Sequence, residues 1–280
     1  MTSQNQNAIS TFVFFDIETT GLPYQEKNRT KITELSFVAA LRSDIESTVI
    51  GNIPPVSKLT FVLNPKRKIH PEVTRLTGLS NNLLRHAPVF SEKTKSITSF
   101  LQELPEPVCL VAHNGNIFDF KILLAECIDA NFALPPNLLC VDSLIGFRKL
   151  LKGTQICHKT LTLMKEKSSE LNYDGDSLLT DVKHWPDLNL STEELEEIDE
   201  FKSRKKLFYG DDPKPTDSYK LGAIYCRVMN RSPVNAHRAE VDCTLLLECA
   251  VVMAKDPSVR KKKIIDTYFL LFQFNENEHR

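Results

Sequence analysis

Two acidic residues stand one position apart at the end of an apolar segment near the N-terminus, in the run FFDIETTGLP at residues 14–23. Side chains alternate between faces along a β-strand, so Asp16 and Glu18 share one face while Phe15 and Ile17 point into a core on the other. Like charges this close raise each other's pKa, and burying them without a counter-charge is costly. A divalent cation removes that conflict, so the motif predicts a site for a hard metal ion.

Two further segments carry acids or a base where predicted elements begin. Asp119 falls in the first turn of a predicted helix, where a lone acid commonly serves only the helix dipole. His237 stands five positions before Asp242, and a lone histidine there would ordinarily be a surface or capping residue. Asp242 lies beside Val241 and Leu245 on an apolar helix face, where an unpaired charge is rare. Asp242 is therefore the hardest of the set to explain as an ordinary structural residue.

The elements that position these residues follow from hydrophobic periodicity and turn signals. Strands are predicted at residues 11–17, 32–41, 59–63, 108–112 and 138–141. Helices are predicted from Pro71 to about Gly78, at 118–130, at 144–151 and at 239–254. Three consecutive strands suggest an antiparallel meander, and the alternation of strand and helix that follows is typical of an α/β layered sheet.

Two stretches fall outside that pattern. Residues 152–217 carry many charges and no clear periodicity, so we interpret them as an insertion, with one predicted helix at 191–206. Near the C-terminus an apolar stretch is interrupted by Asp266 and is shorter than the roughly 20 residues of a membrane span, so we predict a helix at 258–274 and no membrane partner.

Composition limits the classes of function. With 280 residues the chain is long enough for one large domain, and a net charge of −1 argues against a protein that coats long duplexes electrostatically. Seven scattered cysteines without a CxxC pair indicate a reducing compartment. The first ten residues, MTSQNQNAIS, lack the apolar stretch of a signal peptide, so we expect a cytoplasmic and/or nuclear location.

A family resemblance rests on several blocks of sequence. Three of them, FFDIETTGLP, AHNGNIFDF at 112–120 and HRAEVDCTLLL at 237–247, resemble the exonuclease motifs of the DnaQ-like superfamily in order and spacing. Four more narrow the resemblance: KLTFVLNP, LTGLS, CVDS and YKLGAIYCRV. The chain is thus similar to the three-prime repair exonuclease (TREX) family of the DnaQ-like (DEDDh) 3′–5′ exonucleases.

The resemblance implies a fold and a metal site. The fold would be ribonuclease H-like, with a five-stranded mixed sheet flanked by helices, in a single exonuclease domain over residues 1–280. Asp16, Glu18, Asp119 and Asp242 would hold two divalent cations, Mg²⁺ with Mn²⁺ able to substitute, and His237 would be the general base. The spacing of five positions between His237 and Asp242 is that of the histidine subclass.

The resemblance also implies residues on the substrate side. Thr20, Gly21 and Leu22 would lie against the terminal nucleotide, with Leu22 between the last two bases, and Leu76 would pack against the terminal base. Core packing is the alternative for both leucines. His113 and Asn114 would support the site without being ligands. The basic runs at 202–206 and 260–263 are either backbone contacts or solvated faces.

The sequence therefore predicts a metal-dependent 3′ to 5′ DNA exonuclease that releases 5′ mononucleotides and prefers single-stranded or frayed 3′ ends. Two alternatives remain: an exoribonuclease that uses the same site, and a nucleic-acid-binding module without catalysis. The resemblance further implies a homodimer, formed through the predicted edge strand at 59–63.

Overall fold

Six strands form one mixed sheet in the computed structural model, which describes residues 9–151, 182–184, 218–234 and 236–255. The strands are β1 (Thr11–Thr19), β2 (Ile32–Leu41), β3 (Ser57–Val62), β4 (Val108–Ala112), β5 (Leu139–Asp142) and β6 (Val182–His184). Their order across the sheet is β3-β2-β1-β4-β5-β6. The pairs β1–β4 and β4–β5 are parallel, and the other neighbours are antiparallel. The acidic end of β1 therefore lies near the centre of the sheet.

Helices cover both faces of this sheet. Within the described ranges they are α1 (Arg42–Ser47), α2 (Pro71–Thr77), α3 (Thr94–Gln102), α4 (Asp119–Asp129), α5 (Ser143–Leu151), α6 (Leu221–Met229) and α7 (Ala239–Lys255). None of these described helices has the length and apolar character required to cross a membrane.

The alternation of side chains along β1 divides the core into two layers. Phe12 and Phe14 point to one face and pack in a cluster with residues of α5, α6 and α7. Phe15 and Ile17 point to the other face and pack with residues of α3 and α4. This parity places Asp16 and Glu18 on the side of α7, as the alternation of polar and apolar residues predicted.

The five predicted strands are confirmed, and β6, inside the region predicted as an insertion, adds a sixth at the edge beside β5. The antiparallel meander is confirmed in β1, β2 and β3, but α1 occupies part of the connection that we predicted as a loop. Helix α6 was not predicted. The predicted helices at 191–206 and 258–274 and the basic runs at 202–206 and 260–263 lie outside the described residues.

Candidate active site

Three carboxylates converge where the end of β1 meets the start of α7. Asp16 and Glu18 come from β1 and Asp242 comes from the first turn of α7. One oxygen from each carboxylate lies within 4.8 Å of the others, and all three side chains are partly exposed. Residues 226 positions apart in the chain thus offer hard oxygen ligands at one point, which is the donor set that a divalent cation prefers.

Asp119 lies beside this trio rather than within it. It is the first residue of α4 and is only 3% exposed. The backbone N–H of Ile17 donates a hydrogen bond to its carboxylate, which fixes Asp119 against the end of β1. Its negative charge is the largest electrostatic contribution that raises the pKa of Asp16. The four acids predicted as metal ligands are therefore neighbours.

Burial is the main reason that the pKa of each acid lies above its usual value, and mutual repulsion adds to it. The pKa of Asp16 is raised well above its ordinary value, first by burial and then by Asp119, Asp242 and Glu18. The pKa values of Glu18 and Asp119 are raised to about 8, again mainly by burial. Burial also raises the pKa of Asp242. A buried excess of negative charge fits a site for divalent cations, which would favour the ionised form of all four.

His237 reaches the site through its backbone. Its N–H donates a hydrogen bond to Oδ2 of Asp242 at 3.1 Å, and its φ of 70° lies in the left-handed region. The side chain is exposed to solvent. The backbone of His237 is therefore held next to a predicted metal ligand, while its side chain stays accessible to solvent.

A buried glutamate that the sequence analysis did not identify holds the segment that carries His237. Glu34 on β2 stands opposite Glu18 in the register of the sheet and is 1% exposed. Its carboxylate accepts hydrogen bonds from Nε and a terminal nitrogen of Arg238, at 3.0 and 2.6 Å, and from the backbone N–H of Ala239 at 3.0 Å. Glu34 could have been identified from the sequence, because a charge inside the apolar strand ITELSFVAAL requires a partner, as the charge of Asp242 does on its apolar helix face.

A second buried acid, Asp142 at the end of β5, organises the turn that precedes α4. Its carboxylate accepts hydrogen bonds from the backbone N–H groups of Asn114 and Asn116, at 2.8 and 3.1 Å. The turn is tight at Gly115, where a Cβ atom would lie 2.6 Å from Ala112. Asp142 thus fixes the backbone that leads into the helix of Asp119.

His113 and Asn114 occupy this turn and differ in their surroundings. The Nδ1 atom of His113 lies 3.0 Å from the hydroxyl of Ser143, and its Nε2 lies 2.9 Å from the carbonyl oxygen of Tyr219. A carbonyl only accepts, so Nε2 carries the proton and Nδ1 accepts from the serine. Burial lowers the pKa of His113 to about 4, which keeps the ring neutral. Asn114 is half-buried with φ of 65°.

Glu26 packs against the turn of Thr20, Gly21 and Leu22 and stabilises it. The hydroxyl of Thr20 donates a hydrogen bond to Oε2 of Glu26 at 2.7 Å, and Arg67 lies 3.4 Å from the same carboxylate. A Cβ atom at Gly21 would come within 3.1 Å of Glu26, so the glycine permits this close packing. Thr20 thus serves to hold the turn through its hydroxyl.

The two leucines predicted to touch substrate are accessible. Leu22 is half-buried and Leu76, at the end of α2, is 56% exposed. Core packing, the alternative for Leu76, is therefore wrong, whereas a role at the substrate stays a prediction. An exposed leucine provides an apolar surface on which a base of any identity can stack.

Comparison with known proteins adds family evidence to this geometry. The exonuclease family model (RNase_T) matches residues 13–170. Human three-prime repair exonuclease 1 is 28% identical over 253 residues, which cover 85% of this chain and 62% of the relative. Human three prime repair exonuclease 2 is 37% identical over 149 residues, which cover 50% of this chain and 62% of the relative. The chain thus spans about 62% of the length of these curated relatives, and the predicted resemblance is confirmed.

Solved structures share the fold. The zinc-bound complex of E. coli exonuclease I with single-stranded DNA has a TM-score of 0.56 at 14% identity, over 92% of this chain and 43% of that one. A 3′-exonuclease that recognises the 3′ end of a histone mRNA stem-loop has a TM-score of 0.55 at 13% identity, over 89% and 64%. At such identities the likeness concerns the fold alone, and it confirms the predicted ribonuclease H-like arrangement of a mixed sheet flanked by helices.

Proposed function

Because the chain belongs to the exonuclease family whose model matches residues 13–170, we propose that it is a metal-dependent 3′ to 5′ DNA exonuclease. It would hydrolyse phosphodiester bonds from single-stranded or frayed 3′ ends and release 5′ mononucleotides. The observation that carries this proposal is the convergence of Asp16, Glu18 and Asp242 within 4.8 Å. We propose DNA rather than RNA as the substrate, because this chain is similar to human three-prime repair exonuclease 1 over 253 residues.

Two divalent cations suit this group of acids, Mg²⁺ in the first place and Mn²⁺ as a substitute. Asp16, Glu18, Asp119 and Asp242 would hold them. These residues supply oxygen ligands, and burial and repulsion between neighbouring acids make their ionised forms costly without a cation. When bound, such cations lower the pKa of a water molecule and stabilise the charge on the scissile phosphate and the leaving 3′ oxygen.

His237 would take the proton from the attacking water. Histidine is the side chain that most often serves as a general base, and the ring of His237 is exposed to solvent. The hydrogen bond from its backbone N–H to Asp242 holds the backbone of this residue at the edge of the acidic cluster, by which we mean Asp16, Glu18, Asp119 and Asp242. His113 is unsuited to this task, because both of its ring nitrogens are engaged by Ser143 and Tyr219.

The substrate would enter over the turn of Gly21 and Leu22. Leu22 and the exposed Leu76 supply apolar contacts to the terminal bases, which suits an enzyme that does not select sequence. We place the protein in the cytoplasm and/or nucleus, and the six cysteines in the described part of the chain, all of them free thiols, support a reducing compartment.

The direct test is degradation of a 5′-labelled single-stranded DNA with Mg²⁺, beside the same sequence as RNA. We expect a ladder that shortens from the 3′ end of the DNA, and no ladder with Asp16→Asn or His237→Ala. Degradation of RNA alone would contradict the DNA assignment, and binding of either strand without turnover would contradict catalysis.

Glu240 offers a matched control for the acidic substitutions. It stands between His237 and Asp242 in the sequence, but its carboxylate binds Lys58 at 2.9 Å and Thr60 at 3.1 Å, away from the acidic cluster. We therefore expect Glu240→Gln to retain the DNA ladder. Its loss would mean that removing an acidic charge near the site inactivates the enzyme whether or not that residue is a predicted metal ligand, which would remove the support that Asp16→Asn gives to metal binding.

A further inference from the structure

Positive charge is concentrated next to the turn that we assign to the substrate. Residues 20–31 and 64–86 together contain eight lysines and arginines against two glutamates, whereas the whole chain has a net charge of −1. We define the basic surface as five exposed cations of these segments: Lys27, Arg29, Lys66, Lys68 and Arg75. Such an imbalance in an otherwise neutral protein is unlike the mixed charge of an ordinary solvated face.

The two segments form one structural unit with the substrate turn. Arg67 joins them, since it lies 3.4 Å from the carboxylate of Glu26 and donates a hydrogen bond to the carbonyl oxygen of Arg29. The backbone N–H of His70 donates to the carbonyl oxygen of Thr20 at 2.8 Å. The residues on either side of Arg67 are therefore held directly beside the turn of Thr20 and Leu22.

The cations of the basic surface have no acidic partner in the part of the chain that the structure describes. Among the described residues, none of the five lies within ion-pairing distance of a carboxylate, whereas Lys31 pairs with Glu126 at 3.0 Å and Lys58 pairs with Glu240 at 2.9 Å. Of the two glutamates in these segments, Glu26 is already engaged by Arg67. Exposed positive charges without an acidic partner among the described residues favour binding of an anion.

Apolar side chains accompany these charges. Leu76 is 56% exposed and Leu83 is 64% exposed, and both belong to the segment 64–86. Single-stranded nucleic acid presents this same pairing of chemistries, phosphates along the backbone and bases with apolar faces. A small anion would use the charges but leave the leucines without a partner.

We propose that the basic surface binds phosphates of the substrate strand on the 5′ side of the nucleotides held at the active site. The inference rests on the proposed function, because it takes the 3′ end of a strand to occupy the turn at Gly21 and Leu22. The contacts are electrostatic, so they add affinity for a strand of any sequence and weaken as salt rises. A strand too short to leave the active site gains nothing from them.

Length and salt dependence of binding test this proposal. The variant Lys66→Gln/Lys68→Gln is compared with the wild type and with the charge-retaining Lys66→Arg/Lys68→Arg, using a trinucleotide and a long single-stranded DNA. Binding is measured by fluorescence anisotropy with Ca²⁺ in place of Mg²⁺, and intact oligonucleotide is verified afterwards. Equal melting temperatures of the three proteins exclude a folding defect.

We expect the glutamine variant to bind the long strand with a several-fold higher Kd and to bind the trinucleotide with an unchanged Kd. For the long strand, the slope of log K against log salt should flatten by roughly 0.7 for each phosphate that the variant no longer neutralises. The arginine variant should match the wild type. An unchanged slope or an equal weakening for the trinucleotide would overturn the proposal. Failure of the proposed function would appear separately, as a wild type that binds DNA but shortens no strand with Mg²⁺.

Discussion

The carboxylates of the acidic cluster favour the protonated form without a cation and the ionised form with one. This difference can be measured for single residues. Glu18 and Asp119 have pKa values of about 8 in the folded protein, against values near 4 in an unfolded chain. Between about pH 4 and pH 8 the folded state therefore binds more protons than the unfolded state. The free energy of unfolding of the metal-free protein must fall as pH rises through that window.

We predict that the melting temperature of the protein in EDTA falls between about pH 5 and pH 8, and that Mn²⁺ or Mg²⁺ raises it more at the higher pH. The cation binds only the folded state and competes with protons for the same oxygens. Differential scanning fluorimetry across the pH range measures both effects. Asp16→Asn removes one repelling charge and should flatten the pH dependence in EDTA; the same slope in that variant would contradict the assignment.

Three site residues were identified from the sequence by charges that interrupt an apolar pattern. Asp16 and Glu18 were placed on one face by strand alternation, and Asp242 was singled out as an acid on an apolar helix face. The same reasoning applied to Glu34 would have found it, but its partner Arg238 stands 204 positions away. Pairing across that distance depends on the tertiary fold, so it was not predictable from local pattern.

At the scale of secondary-structure elements, hydrogen bonds between Glu34 on β2 and the start of α7 hold the segment that carries His237. Glu34 accepts hydrogen bonds from Arg238 and from the first backbone N–H of α7, so one buried carboxylate holds both the base-carrying segment and the start of the helix that carries Asp242. The carboxylate also stabilises the helix N-terminus, where orphan N–H groups and the helix dipole favour an anion. Glu34 is thus a positioning residue for the proposed reaction.

We predict that Glu34→Gln lowers kcat by roughly 10- to 100-fold and changes KM much less, as is usual for residues that orient a catalytic shell. The pH profile of kcat should also change, because the exposed His237 would no longer be held at one position. Steady-state kinetics on single-stranded DNA over a range of pH measures both effects. A rise in KM at constant kcat would contradict a positioning role.

Glu248 provides the matched control for this substitution. It is likewise a buried glutamate that pairs with an arginine, at 2.5 Å from Arg231, and it lies on α7 beyond the acidic cluster. Glu248→Gln should lower the melting temperature, since an arginine loses its partner, but it should leave kcat unaltered. Equal kinetic losses in both variants would indicate that they act only through stability.

Element types followed from the sequence more reliably than element boundaries. Helix α4, predicted at 118–130, occupies Asp119–Asp129, and β3, predicted at 59–63, occupies Ser57–Val62. Helix α6 was not predicted, although the apolar residues of YKLGAIYCRV have helical spacing. Strand β6 is three residues long and, within the described sheet, pairs with β5 alone, so no local pattern could predict it.

At the scale of the whole molecule, the edge strand β3 is a candidate surface for dimer formation. Strand β3 has β2 as its single neighbour in the described sheet, so its outer backbone groups lack a ladder partner there. Its side chains are mostly exposed or half-buried, and Val62 is 39% exposed. Two copies that pair through β3 would extend one sheet across a two-fold axis and satisfy both edges.

We predict a homodimer by sedimentation velocity at micromolar concentration, and partial dissociation of Val62→Glu. In an isologous interface each copy contributes one new carboxylate, and burying an unpaired charge is destabilising. Val49→Glu is the control, because Val49 is 68% exposed and lies outside β3. A monomer mass for the wild type would refute dimerisation, and equal dissociation of both variants would place the interface away from β3. Because Glu240 in the first turn of α7 binds Lys58 on this strand, a dimer through β3 would also brace the helix that carries Asp242.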